Sequence, residues 1–325
     1  MANYLVTGAA GFIGARTSEM LIADGHNVVG LDNMNDAYDP RMKEHRLAKL
    51  KRLPGFTFHK LDISDRSRLE VLKRPGVQFE AVINLAARAG VRASVENPWA
   101  FYETNVTGTL NLLELCRQTG IPKFLLASTS SIYGDNPPYP TPETASSSEP
   151  LQPYAASKKG AEVMAHAYHH LYGIDVSVVR YFTVYGPAGR PDLAMFRFCQ
   201  WIREDRPVRV HGNGEQSRGF TYVDDIARGT ILALKPLGYE VINLGGHEVI
   251  TINKLIALLE EVIGKKARVE YGPPNLADML SNWADVSKAG QLLGWEPQVG
   301  LRQGVKYLLE WYDAERSWAN EVLTP

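Results

Sequence analysis

Residues 4 to 32 leave few folds open. Tyr4-Leu5-Val6-Thr7 is an apolar run suited to a parallel strand buried on both faces, and Gly8-Ala9-Ala10-Gly11-Phe12-Ile13-Gly14 then leads into a helical pattern reaching about Asp24. Glycines in a G-x-x-G-x-x-G array permit a tight turn. They also let a helix N-terminus, with the backbone of Phe12 and Ile13, approach a diphosphate whose charge the helix dipole favours. Asn27 to Leu31 reads as a second strand ending in Asp32, which lies 18 residues past Gly14. That spacing places a carboxylate where the ribose hydroxyls of a dinucleotide would lie. A carboxylate there repels a 2'-phosphate, and no arginine comes directly after it, so NAD is expected rather than NADP. A glycine triplet alone is equally a plain turn, and a strand-end Asp has a turn or cap role as its lesser alternative. The order strand, turn, helix, strand favours the dinucleotide reading.

The alternation continues down the chain. Phe56 to Lys60 is a short strand leading to Asp62 and Ile63, a candidate edge for an adenine ring. Ala81 to Leu85 is an apolar strand opening into Leu85-Ala86-Ala87, where small residues leave space for a cofactor. Next come a helical stretch from about Pro98 to Gln118, a strand from Lys123 to Ala127, a helix from Tyr154 to Tyr172 and a strand from Val176 to Arg180. Strands alternating regularly with helices predict an α/β fold, a Rossmann-type doubly wound parallel sheet with right-handed crossovers. Beyond Phe182 the pattern changes to helices near 192–204, 251–264 and 300–316 with short strands at 208–210 and 268–270. This reads as a smaller mixed α/β lobe over 183–325, beside an NAD-binding domain over 1–182. Thr221 to Leu234 and Val241 to Leu244 are expected to return to the first domain as a helix and a strand, so that roughly 221–247 belongs with it.

Composition excludes several classes. A formal net charge of -1 without a dense basic run gives no support to nucleic-acid binding. Cys116 and Cys199 stand in no metal-like or redox-like spacing and read as buried thiols of a reducing compartment. His166 and His170 are four apart on a helix, but Ala167 stands where a zinc-protease helix carries Glu and no third ligand is evident, so no metal is expected. The N-terminal residues enter a strand almost at once, no apolar run reaches membrane-spanning length, and the cytoplasm is the expected location.

The chemistry concentrates between Ala127 and Lys158. A hydroxyl run, Ser128-Thr129-Ser130-Ser131, ends one strand, and Tyr154 and Lys158 sit four apart on one face of the next helix, whose first turn suits Pro153. A phenol with a pKa of about 10 is a poor base at neutral pH, and a nearby ammonium is expected to pull it down. Thr129 is placed to relay a proton to or from a substrate alcohol. Tyr-x-x-x-Lys alone is commonly plain helix surface; the glycine fingerprint and hydroxyl run make this pair a candidate site.

With these pieces placed, the chain resembles the extended short-chain dehydrogenases/reductases and, within them, UDP-glucuronate 4-epimerases along nearly its whole length. The resemblance rests on Gly8 to Gly14, on Asp32-Asn33-Met34-Asn35-Asp36-Ala37-Tyr38-Asp39, on Ala127 to Gly134 and on Arg180-Tyr181-Phe182-Thr183-Val184-Tyr185-Gly186-Pro187-Ala188-Gly189-Arg190. It implies a tightly held NAD contacted by Asn33 and Tyr181 among others, with Thr129, Tyr154 and Lys158 as catalytic trio. It also implies UDP-sugar contacts from Arg92, from Arg218 near the diphosphate and from Asp278 near the uridine ribose. Gly272 to Asp278 departs from the pattern by lacking the arginine or Gly-Asp pair that related epimerases often carry there. The stretches 98–118 and 154–172, apolar beyond the needs of one sheet face, correspond to a helix pair that forms a dimer contact in related enzymes; a homodimer is expected.

Relatives separate by the residues just after the threonine. Dehydratases of this scaffold place Asp-Glu there, and the decarboxylases keep a Glu; here Ser130 and Ser131 cannot serve as carboxylate bases. The chemistry left open is reversible oxidation at C4. A 4-keto glucuronate carries a ketone beta to its carboxylate and is prone to lose CO2, so the carboxylate must be gripped in an unreactive orientation. Ser130, Ser131 and Thr183 offer hydroxyls and Arg190 a cation for such a clamp. The alternatives are a UDP-glucose or UDP-N-acetylhexosamine 4-epimerase, which needs no cation at C6, and a non-catalytic NAD-binding protein, which needs no trio.

Overall fold

The structure is a computed structural model and describes residues 1–73, 78–135, 137–274 and 281–324. Its first half is a strand-helix alternation: β1 (Asn3–Thr7), α1 (Phe12–Ala23), β2 (Asn27–Asp32), α2 (Arg41–Leu50), β3 (Phe56–Lys60), α3 (Arg66–Leu69) and β4 (Ala81–Asn84). Then come α4 (Val91–Glu96), α5 (Pro98–Tyr102), α6 (Gly108–Thr119), β5 (Lys123–Thr129), α7 (Pro153–Tyr172) and β6 (Asp175–Tyr181). The second half holds β7 (Thr183–Tyr185), α8 (Ala194–Arg203), β8 (Val208–His211), β9 (Ser217–Tyr222), α9 (Val223–Leu232), β10 (Tyr239–Leu244) and β11 (Glu248–Thr251). It ends with α10 (Ile252–Ile263), β12 (Val269–Gly272), α11 (Ser287–Leu293), α12 (Leu301–Ala314) and α13 (Arg316–Ala319).

Seven strands form one all-parallel sheet in the order β10-β6-β5-β4-β1-β2-β3. Successive side chains point to opposite faces, so Leu5, Val82, Leu126 and Val178 enter one core while Val6, Ile83, Leu125 and Val179 enter the other. Burial on both faces is why these strands read as continuous apolar runs. The strand order reverses between β1 and β4, and the crevice beyond their carboxyl ends is where such sheets take a nucleotide.

Three features depart from the sequence reading. The helical stretch from Pro98 is not one α-helix: Glu103–Thr107 forms a π turn between α5 and α6. The π turn carries the buried Asn105, whose Nδ2 donates to Arg88 O (3.0 Å) and Ser157 Oγ (2.9 Å) and whose Oδ1 accepts from Arg88 N (2.9 Å). The helix expected from Thr221 starts only at Val223, because Ser217–Tyr222 is strand β9. β9 is the centre of a small sheet, β11-β9-β7, and β12 pairs with β8 in another, while β10 joins the large sheet beside β6.

A buried ion pair ties α7 to β6. Arg180 donates through Nε to Glu162 Oε1 (3.0 Å) and through Nη2 to Glu162 Oε2 (2.8 Å), and through Nη1 to the Tyr133 hydroxyl (3.0 Å), which itself donates to Asn243 Oδ1 (2.6 Å). Removing one partner strands the other charge in the core. Glu162→Ala is expected to lower the unfolding free energy by about 3–5 kcal/mol in chemical denaturation; a change below about 1 kcal/mol would show that the pair is effectively solvated.

Candidate active site

The nucleotide turn is closed by backbone contact. Gly8 has φ +68, and a Cβ at Gly14 would lie 2.1 Å from Gly8 O. Glycine at these positions lets α1 start directly against the turn, with Gly11 as an N-cap that makes no side-chain bond to the first-turn amides. At the end of β2 the buried Asp32 accepts Met34 N (2.8 Å) and Lys43 Nζ (3.2 Å), both on Oδ1. Oδ2 has no hydrogen bond among the described residues and is available to a ribose hydroxyl. Asn33 Nδ2 donates to Asp62 Oδ2 (2.6 Å), and Ser64 donates N–H and O–H to Oδ1. Burial works against this carboxylate, but the Asn33 and Ser64 bonds hold its pKa below the usual range. A bare glycine cradle at a helix N-terminus and a carboxylate with one open oxygen fit an adenine dinucleotide.

Two of the expected cofactor residues turn their side chains into the core. The Ile63 side chain is buried in the core, against Gly108, so only its backbone can border a ligand. Tyr181 is likewise buried and its hydroxyl is paired with Thr230 Oγ1 at 2.7 Å, because its position on β6 turns the ring into the core. Leu85, Ala86 and Ala87 come after β4 and stay partly exposed at the crevice.

Thr129 ends β5 and Tyr154 opens α7, which brings the Thr129 hydroxyl close enough to act on the phenol. Thr129 Oγ1 also accepts Ser131 N (3.2 Å) and lies 3.3 Å from Ser131 Oγ. Contrary to the expectation from the sequence, the Tyr154 phenol stands above its ordinary value: burial pushes it up, and Thr129 and the charge of Arg190 offset that only in part. The ammonium expected to do this, Lys158, instead donates to Ala127 O (2.8 Å) on β5. Burial pulls its own pKa down to about 8, against the opposing influence of Glu162.

Around this trio, Ser130 Oγ accepts from Asn282 Nδ2 (2.9 Å), and Arg190 forms a two-point pair with Asp192 through Nε (3.0 Å) and Nη2 (2.5 Å). Thr183 begins β7 just past the end of β6. Arg92 stands farther out on α4, donating to His211 Nε2 (3.2 Å), and Arg218 on β9 donates to Ser217 O (2.7 Å). Asp278 lies outside the described residues. Sequence reasoning missed Lys43, Arg46, Asn105, Asp192 and Asn282. Asp192 had a local signal, two residues past Arg190; Asn282 had none, being 152 residues from Ser130. Among the described residues, no group of three or more His, Cys, Asp or Glu side chains is arranged to hold a metal ion.

A dinucleotide crevice leading to a hydroxyl, phenol and amine at one sheet end defines an enzyme class that oxidises and reduces alcohols in place. The chain belongs to the NAD dependent epimerase/dehydratase family, whose model matches residues 4–245. It is 55% identical to a UDP-glucuronate 4-epimerase of Thermodesulfobacterium geofontis, covering 96% of each chain. Among solved structures it resembles the UDP-glucuronic acid 4-epimerase of Bacillus cereus in complex with UDP-glucuronic acid and NAD (TM-score 0.86, 34% identity, 96% of this chain and 99% of that one). It also resembles a UDP-glucose 4-epimerase of Thermotoga maritima with UDP-glucose (TM-score 0.88, 33% identity, 97% and 99%).

The lowered pKa of Lys158 has a signed consequence. Its ammonium is harder to hold in the fold than in the unfolded chain, so its charging penalises the fold below about pH 8 and the penalty fades as pH rises toward the ordinary lysine value. In cofactor-free protein, Lys158→Met should therefore gain stability relative to wild type at pH 6.5 compared with pH 10, read as a difference of melting temperatures. An offset independent of pH would refute the assignment.

Proposed function

We propose that this protein is an NAD-dependent UDP-glucuronate 4-epimerase, interconverting UDP-glucuronate and UDP-galacturonate through a transient 4-keto sugar. The observation that carries this reading is the convergence of Thr129 at the end of β5, Tyr154 at the start of α7 and Arg190 beside Ala89, a proton relay and a carboxylate-seeking cation near one phenol. The likeness to the Thermodesulfobacterium enzyme supports the same substrate. Bound NAD supplies the redox partner for C4. Tyr154, as phenolate, takes the C4 hydroxyl proton through Thr129, and returns it after the keto sugar has presented its other face. Lys158 holds α7 against β5 and so fixes the phenol. Ser130, Ser131 and Thr183 surround the C6 carboxylate with hydroxyls, and Arg190 grips it. Ser130 and Ser131 supply no base for elimination, which separates this site from a dehydratase. Arg92, Arg218 and Asp278 are assigned to the UDP moiety, and residues 183–325 to the sugar-nucleotide lobe, apart from the returning segment near 221–247.

We assign the active form as a cytoplasmic homodimer. Among the described residues no helix is long and apolar enough to cross a membrane. On the outer side of α4, α5 and α7, Val95 (61%), Trp99 (82%) and Val163 (60%) are exposed, an apolar surface that a second copy would cover.

Proton NMR of purified protein with UDP-glucuronate should show UDP-galacturonate without UDP-pentose. Tyr154→Phe, with NAD still bound, should lower turnover by about 100-fold or more. Epimerisation of UDP-glucose or its N-acetyl relatives alone would transfer the site to a neutral sugar. For assembly, Trp99→Lys is expected to weaken dimerisation by about tenfold or more in sedimentation velocity; an unchanged dimer would place the interface elsewhere.

A further inference from the structure

Arg190 is held on more sides than a flexible ligand-seeking arginine needs. Its Nε and Nη2 are taken by the two oxygens of Asp192, and Nη2 also reaches Ala89 O at 3.4 Å. The Tyr38 ring lies 6.0 Å from its guanidinium carbon. The peptide before it is fastened separately. Arg46 donates to Ala188 O (2.9 and 2.7 Å), Gly189 O (3.2 Å), Ala10 O in the nucleotide turn (3.1 Å) and the Tyr38 hydroxyl (2.9 Å). Ala188 is held at φ +52, a conformation a side chain rarely adopts. Among the described residues, Nη1 of Arg190 has no hydrogen bond. Two donors are thus left on one side of a guanidinium whose plane the other side defines.

Resting on the proposed epimerase reading, we infer that Asp192 is a positioning residue. It locks the plane of Arg190 so that the sugar carboxylate is held where it cannot leave as CO2. Loss of CO2 from the 4-keto intermediate breaks the C5–C6 bond, sends its electron pair into the enolate of the C4 ketone and takes a solvent proton at C5. That step requires the C5–C6 bond to align with the carbonyl π system. A guanidinium free to swing tracks the carboxylate into that alignment; one gripped at two points by Asp192 does not. Asp192 touches neither substrate nor cofactor in this scheme and acts only through Arg190. Its charge has a second effect. The Arg190–Asp192 pair is near neutral before substrate arrives, so recognition of the C6 carboxylate depends more on the direction of the Nη1 donors than on an unpaired positive charge.

The experiment compares wild type, Asp192→Asn and Asp192→Glu with UDP-glucuronate, resolving UDP-galacturonate, UDP-pentose and any 4-keto pentose by proton NMR. Asparagine sets an N–H against one guanidinium N–H and so loses the two-point grip, while glutamate keeps the charge and both acceptors. The expected result for Asp192→Asn is a rise of about tenfold in the pentose share of product with a higher KM, and a return toward the wild-type share in Asp192→Glu. A merely structural role would lower kcat without moving the product share, and that outcome overturns the inference. Should Asp192→Asn fail to fold, Asp192→Ala, which removes both acceptors, takes its place, and an unchanged pentose share in that variant overturns the inference equally. If wild type makes no UDP-galacturonate, the functional reading fails and the inference with it; if wild type does and the share stays fixed, the inference fails alone.

Discussion

The closeness of α1 to the turn after β1 governs the geometry of everything downstream. Gly14 stands so near Gly8 O that any side chain would collide with it, and a Cβ on Gly8 would meet the peptide after Leu85. The helix start is thereby pressed into the point where the strand order reverses, with its first amides turned toward the crevice. Once that end of the sheet is committed to a dinucleotide, the ends of β4, β5 and β6 border the same space. Residues at those ends, Thr129 foremost, become neighbours of whatever the cofactor acts on.

The parts of this design that obey local rules were legible in the sequence. The glycine turn, the carboxylate at the end of β2 and the Tyr154–Lys158 spacing each involve one strand or one helix turn, and the parallel sheet announced itself through doubly buried apolar runs. The features that escaped were polar and long-range. Helix α2 shows only Met42, Leu47 and Leu50 as an apolar stripe, because Lys43 and Arg46, which hydropathy reads as surface, are buried to serve Asp32 and the loop at Ala188. β7, β9 and β11 are short strands whose partners lie far apart in the chain, so no periodicity of their own reveals them. The π turn at Asn105 interrupts a pattern that looks like one helix, since the extra residue is absorbed by bonds to Arg88 and Ser157 that spacing cannot foresee.

The electrostatics of the site also differ from the simplest reading of its residues. A tyrosine next to a lysine on a helix invites the view that the ammonium activates the phenol. Here the ammonium is spent on a backbone carbonyl and is itself discouraged from charging by burial, while the opposing pull on Tyr154 comes from Thr129 and from Arg190 across the cleft. In the proposed clamp one arginine therefore has two tasks, opposing the effect of burial on the phenol and meeting a carboxylate. An unpaired guanidinium would perform both strongly, but it would also change its influence on the phenol each time an anion bound.

Pairing Arg190 with Asp192 moderates that conflict. In the proposed clamp one carboxylate is already in place, so arrival of a second alters the local charge from near neutral to negative, a cost to the substrate's own binding that the hydroxyls assigned to it, those of Ser130, Ser131 and Thr183, would offset. The hydroxyls are neutral and short, and Ser130 is anchored by Asn282, so they add directional bonds without adding charge that would perturb Tyr154. A site that must oxidise a sugar next to a labile carboxylate gains more from fixed directions than from strong attraction. The wiring from the nucleotide turn through Arg46 and Tyr38 to Arg190 supplies such fixed directions from the same helix whose Lys43 holds Asp32.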